Sequence, residues 1–150
     1  DEDGVTVTHS QTIETFTGAG STAPRKAFRT EEGLVLGFTL VDITPEMQSL
    51  VMDGATIATV AAGVGVPGTK SIDLLKGLEV DTFALLARGM SPVDNNLILQ
   101  YEWPSVFQSG EIAPVYTKGE PAGLEVEFTA LEQTAGNFGR LKVQTAIATG

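Results

Sequence analysis

The sequence contains no cysteine, one histidine and little positive charge, and each shortage excludes a class of function. Without cysteine the chain has no disulfide and no thiolate metal site. His9 alone cannot form a histidine cluster for zinc, and any Ser-His-Asp chemistry would have to use it. Nineteen acidic residues against nine basic ones give a net charge of −10. Gripping DNA through its phosphates needs clustered Lys and Arg, so this charge argues against such a protein.

Long hydrophobic runs are also missing. No apolar stretch approaches the ~20 residues that span a bilayer, so we predict no membrane partner. The acidic residues 1–4 lack the positive and apolar regions of a signal peptide, and we interpret them as a processed or trimmed end that forms a flexible arm. The length of 150 residues, the 17 glycines and the 7 prolines predict one domain, residues 1–150, with many turns.

Period-two alternation predicts strands along most of the chain. "VTVTHSQTIETF" (residues 5–16) reads as a long half-buried strand, and residues 33–41 are apolar at both parities, which predicts cover on both faces. Two hairpins are predicted, around "MSPVDNN" and around "TAGN". "EIAPVYTK" (residues 111–118) is predicted to be an edge strand interrupted by Pro114.

One helix is predicted over about residues 44–53. Thr44 is its N-cap, Pro45 its first residue and Gly54 its stop signal. Met47, Leu50 and Val51 lie on one stripe that is predicted to pack against a sheet. The order of elements predicts a mainly β fold: a β-sandwich or partial barrel of two packed antiparallel sheets with one flanking α-helix.

The stretch "GVGVPG" matches the dinucleotide-binding pattern G-x-G-x-x-G letter for letter. It comprises Gly63, Val64, Gly65, Val66, Pro67 and Gly68. A dinucleotide site needs this loop to leave a strand and open a helix. Here proline lies inside the motif and the β-branched run "TKSIDLL" follows, so we predict a flexible hairpin tip and no cofactor.

Three further candidates have a structural interpretation that we prefer. Asp94, Asn95 and Asn96 predict a turn, because the alternating ligands of a calcium loop are missing. Glu31 and Glu32 predict a solvated turn before Gly33, since neighbouring carboxylates on a strand point to opposite faces. His9 shares the parity of the apolar residues before it and predicts a satisfied or partly buried strand histidine. No catalytic residue or metal ligand is predicted.

Two acidic pairs are more suggestive. Glu79 and Asp81 share one parity, as do Glu125 and Glu127, so each pair marks a predicted strand face that is turned to water. Such a face is either an ordinary solubilising surface or a shared acidic surface with a function.

Four segments, taken in order, resemble the major tail protein, or tail tube protein, of long-tailed bacteriophages. They are "VTVTHSQTIETF", "EEGLVLGFTLVDITPEMQSLVMDG", "TFALLARGMSPVDNN" and "GLEVEFTALEQTAGNFGRLKVQTA". The resemblance implies hexameric rings stacked into a tube in the virion tail, through which DNA is ejected. It implies assembly in the host bacterial cytoplasm, with the tail tip or baseplate, tape measure and tail terminator proteins as partners. Related tubes occur in contractile tails and in type VI secretion.

Two residue sets follow as hypotheses. Some of five acidic residues are expected to line the lumen: Glu14, Glu79, Asp81, Glu125 and Glu127. The segments expected to mediate assembly are residues 1–4, residues 62–69 and residues 105–121, the last with Val106 and Phe107 exposed. Two alternatives stay open: a monomeric β-sandwich binding or adhesion module and, with least support, a hydrolase that uses His9.

Overall fold

The computed structural model describes residues 4–41, 43–94, 96–119, 122–134 and 136–146. These residues form eight strands and one helix. In chain order they are β1 (Val5–Phe16), β2 (Lys26–Val41), α1 (Pro45–Val51), β3 (Ile57–Val60), β4 (Thr69–Ile72), β5 (Phe83–Met90), β6 (Ile98–Gln108), β7 (Gly123–Ala130) and β8 (Arg140–Val143). The prediction of a mainly β fold with a helix near residues 44–53 is confirmed. Residues 1–3 of the N-terminal segment that was predicted to be flexible lie outside the described residues.

Six strands form one curled antiparallel sheet in the order β1-β2-β7-β6-β5, with β8 also paired to β6. Strand β6 is the junction. β5 pairs with most of its length, while β8 and β7 share its other side in succession, β8 opposite Leu99 to Glu102 and β7 opposite Val106 to Gln108. The remaining two strands, β3 and β4, form a separate two-stranded sheet.

The core lies on the inner face of the curled sheet. Its fully buried members come from β2, β6, β7 and the end of α1: Leu36, Trp103, Val106, Leu124, Val126 and Val51. Phe38 stacks on Phe128 with ring centroids 5.8 Å apart. Along β7, Leu124, Val126 and Phe128 are buried while Glu125 and Glu127 are exposed, so the predicted alternation of this strand is confirmed.

The helix begins as predicted. Thr44 caps it by accepting a hydrogen bond from the Met47 backbone N–H at 3.3 Å, and Pro45 occupies the first turn. Only Val51 of the predicted stripe is buried; Met47 and Leu50 are exposed, so their predicted packing is wrong. The helix has seven residues; it lies mainly against the short strands β3 and β4, and Val51 at its end packs into the core of the large sheet.

The glycine motif lies in the hairpin between β3 and β4, as predicted. Val60 pairs with Thr69, and beyond them Gly63 and Val66 exchange two backbone hydrogen bonds of 3.0 and 3.1 Å. Gly65 has φ +74° at the tip of this turn, a conformation that favours glycine. Lys70 of β4 pairs with Glu46 of α1 and lowers the pKa of that carboxyl. The motif therefore connects two antiparallel strands and opens no helix.

The hairpin predicted around "TAGN" is wrong. β8 pairs with β6 and not with β7, because the chain crosses from the end of β7 at Ala130 to the other end of β6, where β8 begins at Arg140. A Cβ on Gly139 would lie 2.3 Å from the Glu102 carbonyl oxygen, so this crossing needs glycine. The hairpin predicted around "MSPVDNN" is confirmed as β5 and β6, with the Asn96 N–H bonded to Asp94 Oδ1 at 2.9 Å. Asn95 lies outside the described residues.

Three strand predictions also differ from the structure. Residues 78–82 are not a strand, since β5 begins at Phe83. Residues 111–118 form only a single bridge, between Val115 and Gly123, next to a proline that has no N–H to donate. Strand β1 is not half-buried as a whole: Val7 is partly covered, but Val5 and Ile13 are exposed.

Candidate functional site: assembly surfaces

The far end of the β1–β2 hairpin leaves the body of the sheet. β7 pairs with β2 only from Val35 to Val41, whereas β1 pairs with β2 from Lys26 to Phe38. Residues 9–34, which we call the arm, therefore continue as a two-stranded ribbon. Nine residues of β2 lie beyond the last β7 pair, and at ~3.3 Å per residue they extend the ribbon by about 30 Å.

The arm carries apolar side chains that nothing covers in the single chain. Phe16 is 58% and Phe28 is 55% exposed, and Ile13 is also exposed. Phe28 lies opposite Glu14 and Phe16 opposite Lys26, so the two rings share one face of the ribbon. A two-stranded ribbon is marginally stable on its own. The arm therefore has the composition of a segment that packs against another surface.

The base of the arm is polar and internally paired. His9 Nε2 lies 2.6 Å from Glu32 Oε1, and Arg29 links Glu32 to Gln11. Glu31 and Glu32 lie within β2, so the predicted turn before Gly33 is wrong. His9 is satisfied as predicted, although it is exposed rather than partly buried. The neighbouring Ser10 hydroxyl donates to the Gly33 carbonyl at 3.4 Å.

Three of the five acidic residues predicted for a lumen share the outer face of the large sheet. Glu125 and Glu127 lie opposite Thr39 and Gly37 of β2, on the face away from the core. Alternation along β1 places Glu14 on the same face, about 30 Å further along the sheet. We call this surface the acidic face. Glu79 and Asp81 do not belong to it, because both precede β5 in a segment without strand structure.

The predicted assembly residues divide into two groups. All six residues of the glycine motif are exposed, and Val64 projects fully from the hairpin tip. Val106 is 0% exposed and Phe107 is half-buried, because both belong to β6; their predicted exposure is wrong. Residues 120 and 121 lie outside the described residues; in the rest of the 105–121 region the exposed large apolar side chains are instead Val115 and Tyr116.

Sequence reasoning missed one apolar segment. Residues 73–82, which we call the strap, connect β4 to β5 and expose Leu74, Leu75, Leu78 and Val80. The signal was the cluster of leucines in "DLLKGLEV", which the strand prediction absorbed. In the middle of the strap, Lys76 points inward. Its Nζ lies 3.6 Å from Asp53 Oδ2 and hydrogen-bonds Gln108 Oε1, and both partner side chains are almost fully buried.

Two open clefts lie between the halves of the curled sheet. One of about 510 Å³ is lined by His9, Trp103 and Phe138, and one of about 450 Å³ by Val5, Phe38 and Leu99. Across the described ranges, no three His, Asp or Glu side chains are grouped as metal ligands would be. No helix in that part of the chain is long and apolar enough to cross a membrane.

Neither the protein-family models nor the curated proteins contain a match to this chain.

Proposed function

We propose that this chain is a structural subunit that assembles with copies of itself into stacked hexameric rings, forming a tail tube for DNA ejection. The observation that carries the proposal is the arm, a ribbon that extends about 30 Å from the sheet and exposes two phenylalanines. Monomeric proteins rarely expose large contiguous apolar patches, and those that do use them for contacts. On this proposal the curled sheet is the partial barrel of a tube subunit.

The sheet edges support self-assembly. Among the described strands, β1 and β5 each pair on one side only. Free edges and exposed apolar side chains are hazards for a monomer, and closure of a ring through neighbouring copies removes them. A head-to-tail contact between unlike surfaces closes into a ring or continues into a filament, and a tube needs both kinds of contact.

The acidic face is the proposed wall of the lumen. DNA carries one negative charge per ~1.7 Å of axis, so a basic wall would hold it by releasing counterions. Glu125 and Glu127 would instead repel it over about 8 Å at physiological salt. Repulsion of this range keeps DNA hydrated and free to slide through the tube.

Electron microscopy and size-exclusion chromatography of the concentrated protein test the proposal. We expect rings or tubes that dissociate on dilution. A protein that stays monomeric at millimolar concentration contradicts tube assembly and favours the monomeric binding or adhesion module. Tubes that form only with a separate sheath or secretion component would place the chain in a related contractile or secretion system.

Deleting residues 63–68 tests the hairpin tip. The deletion leaves Ala61 and Ala62 between the paired Val60 and Thr69. Combined with Ala61→Asn and Ala62→Gly, which supply the residues that a two-residue turn favours, it lets β3 and β4 still form a hairpin. We expect a folded monomer that does not polymerise. Normal tubes from this variant would remove the tip from the assembly contacts.

Charge reversal tests the wall. The double variant Glu125→Lys/Glu127→Lys should form tubes that retain DNA, with retention that falls steeply as salt rises. Glu132→Lys/Asp94→Lys makes the same change in net charge at two exposed positions that do not share a cleft with Glu125 and Glu127. Equal DNA retention by both variants would contradict a lumen on the acidic face.

A further inference from the structure

We infer that the end of the arm of one copy docks on the strap of a second copy, and that this contact joins subunits head to tail. The inference deepens the proposed assembly and rests on it for its biological purpose. Its physical basis is that the two surfaces are complementary in both apolar character and charge.

The strap has the reverse of the usual orientation for a surface segment. Its charged residue Lys76 reaches inward to Asp53 and Gln108, while its leucines point outward. Leu78 is fully exposed and Leu75 is 83% exposed. An inward polar anchor holds the segment in place with its apolar side chains turned to water. This arrangement is unfavourable for an isolated chain and becomes favourable when a partner covers the leucines.

The end of the arm offers the matching apolar surface. Phe16 and Phe28 share one face of the ribbon, and Ile13 lies at the same end of the ribbon on its opposite face. Large rigid rings and leucines are the side chains that form the buried centre of protein interfaces. Because the arm is a projecting ribbon, it can reach a neighbouring copy without moving the body of the sheet.

The charges of the two surfaces are opposite. Residues 13–28 at the end of the arm carry two basic side chains and one acidic one: Arg25, Lys26 and Glu14. The strap carries three acidic side chains and one basic one: Asp73, Glu79, Asp81 and Lys76. Across the described ranges, Arg25 and Lys26 form no ion pair, nor do the three strap carboxylates. Opposite charge steers encounter and fixes the register of the apolar contact.

The two surfaces do not meet within one chain. The strap is anchored at Gln108, which lies in register with Phe128 and, through it, with Leu36 of β2. Phe28 lies eight residues further along β2, about 25 Å away. The exposure of both surfaces agrees with this separation. A contact between them therefore requires a second copy, and it is of the head-to-tail kind because the two surfaces differ.

Cysteine cross-linking tests the contact, since the chain has no cysteine of its own. Thr17→Cys lies next to Phe16 on the arm, and Leu75→Cys lies on the strap. When the two single variants are mixed and oxidised, we expect heterodimer formation roughly a hundredfold faster than for an unrelated pair, because docking raises the effective concentration to about the millimolar range. Thr17→Cys mixed with Val93→Cys is the control, since Val93 is equally accessible on the β5–β6 turn.

Charge exchange provides a second measurement. Arg25→Glu/Lys26→Glu and Asp73→Lys/Glu79→Lys should each slow the cross-link when paired with an unaltered partner surface. Combined across the two copies, they should restore it. Cross-linking no faster than the control pair, or no restoration by the exchange, would overturn the inference. Tubes that form while this cross-link fails would refute the docking alone, whereas a cross-link without rings or tubes would refute the tube.

Discussion

Strand β2 has two halves with opposite surroundings. From Val35 to Phe38 it lies between β1 and β7, and Leu36 is fully buried. From Lys26 to Gly33 it has β1 as its only described neighbour, and Phe28 is mostly exposed. Apolar residues of the same strand are therefore buried in one half and exposed in the other. The inner half stabilises the monomer, and on the proposed assembly the outer half offers surface for another copy.

The largest contrast is expected between truncations on the two halves of β2. Leu36→Ala should lower the free energy of unfolding by about 3 kcal/mol, since it leaves a cavity in the core. Phe28→Ala should change that free energy by less than about 0.5 kcal/mol, yet reduce assembly. Urea unfolding of dilute protein measures the first effect, and chromatography at high concentration the second. Equal destabilisation by the two variants would contradict the division of β2.

A smaller loss of stability is expected where the chain crosses to β8, if the close packing at Gly139 contributes to the stability of the large sheet. Gly139→Ala places a Cβ against the Glu102 carbonyl and the Trp103 ring, so we expect a loss of about 1–3 kcal/mol. Gly89→Ala on β5 is the matched control, because an added Cβ meets nothing within 4 Å. Thermal unfolding compares the two. A harmless alanine at position 139 would show that β8 is only loosely attached to β6.

A substitution at the helix cap measures how much α1, which lies outside the large sheet, contributes to the free energy of unfolding. Thr44→Ala removes the acceptor for the Met47 N–H and should cost about 1 kcal/mol. Thr44→Ser keeps the hydroxyl oxygen and should retain most of the stability. Circular dichroism during urea unfolding measures both variants. If the two behave alike, the cap does not contribute to the stability of this part of the molecule.

The smallest effect concerns the ion pairs that attach β8. The Lys142 ammonium, 2.5 Å from Glu102, lowers the pKa of that carboxyl, with a smaller contribution from Arg140. Because the pKa is lower in the folded state, the pair stabilises the protein above the ordinary carboxyl pKa. That stabilisation is lost as the pH falls through the folded-state value.

Glu102→Gln measures this contribution. The variant should be less stable than the parent at neutral pH and equal to it in strong acid, as followed by the urea midpoint across the pH range. High salt should reduce the difference, since the pair is partly exposed. Glu132→Gln removes a charge from an exposed loop and is the control. A difference that does not depend on pH would assign the effect to packing instead.

The candidate surfaces were predictable to different degrees. The glycine tip follows from local chemistry, and the outward direction of Glu125 and Glu127 follows from alternation with Leu124 and Val126. The strap was not predictable, because its leucines have the composition of a buried strand and only the inward anchor of Lys76 shows their direction. Val106 was predicted exposed as part of a loop at residues 105–121, yet it belongs to β6, where it pairs with both Phe83 and Ala130 and is buried.

The sequence by itself determined the features that depend on neighbours a few residues apart. These are the period-two strands, the capped start of the helix at Thr44 and the glycine turn between β3 and β4. The tertiary structure decided which strands pair and which apolar residues are covered. β8 joins β6 rather than β7, and Leu50 is exposed while Val51 is buried. The reason is physical. The backbone N–H and C=O groups of a strand are the same whatever its sequence, so they do not determine which strand it pairs with, and the burial of a side chain depends on residues far away in the chain.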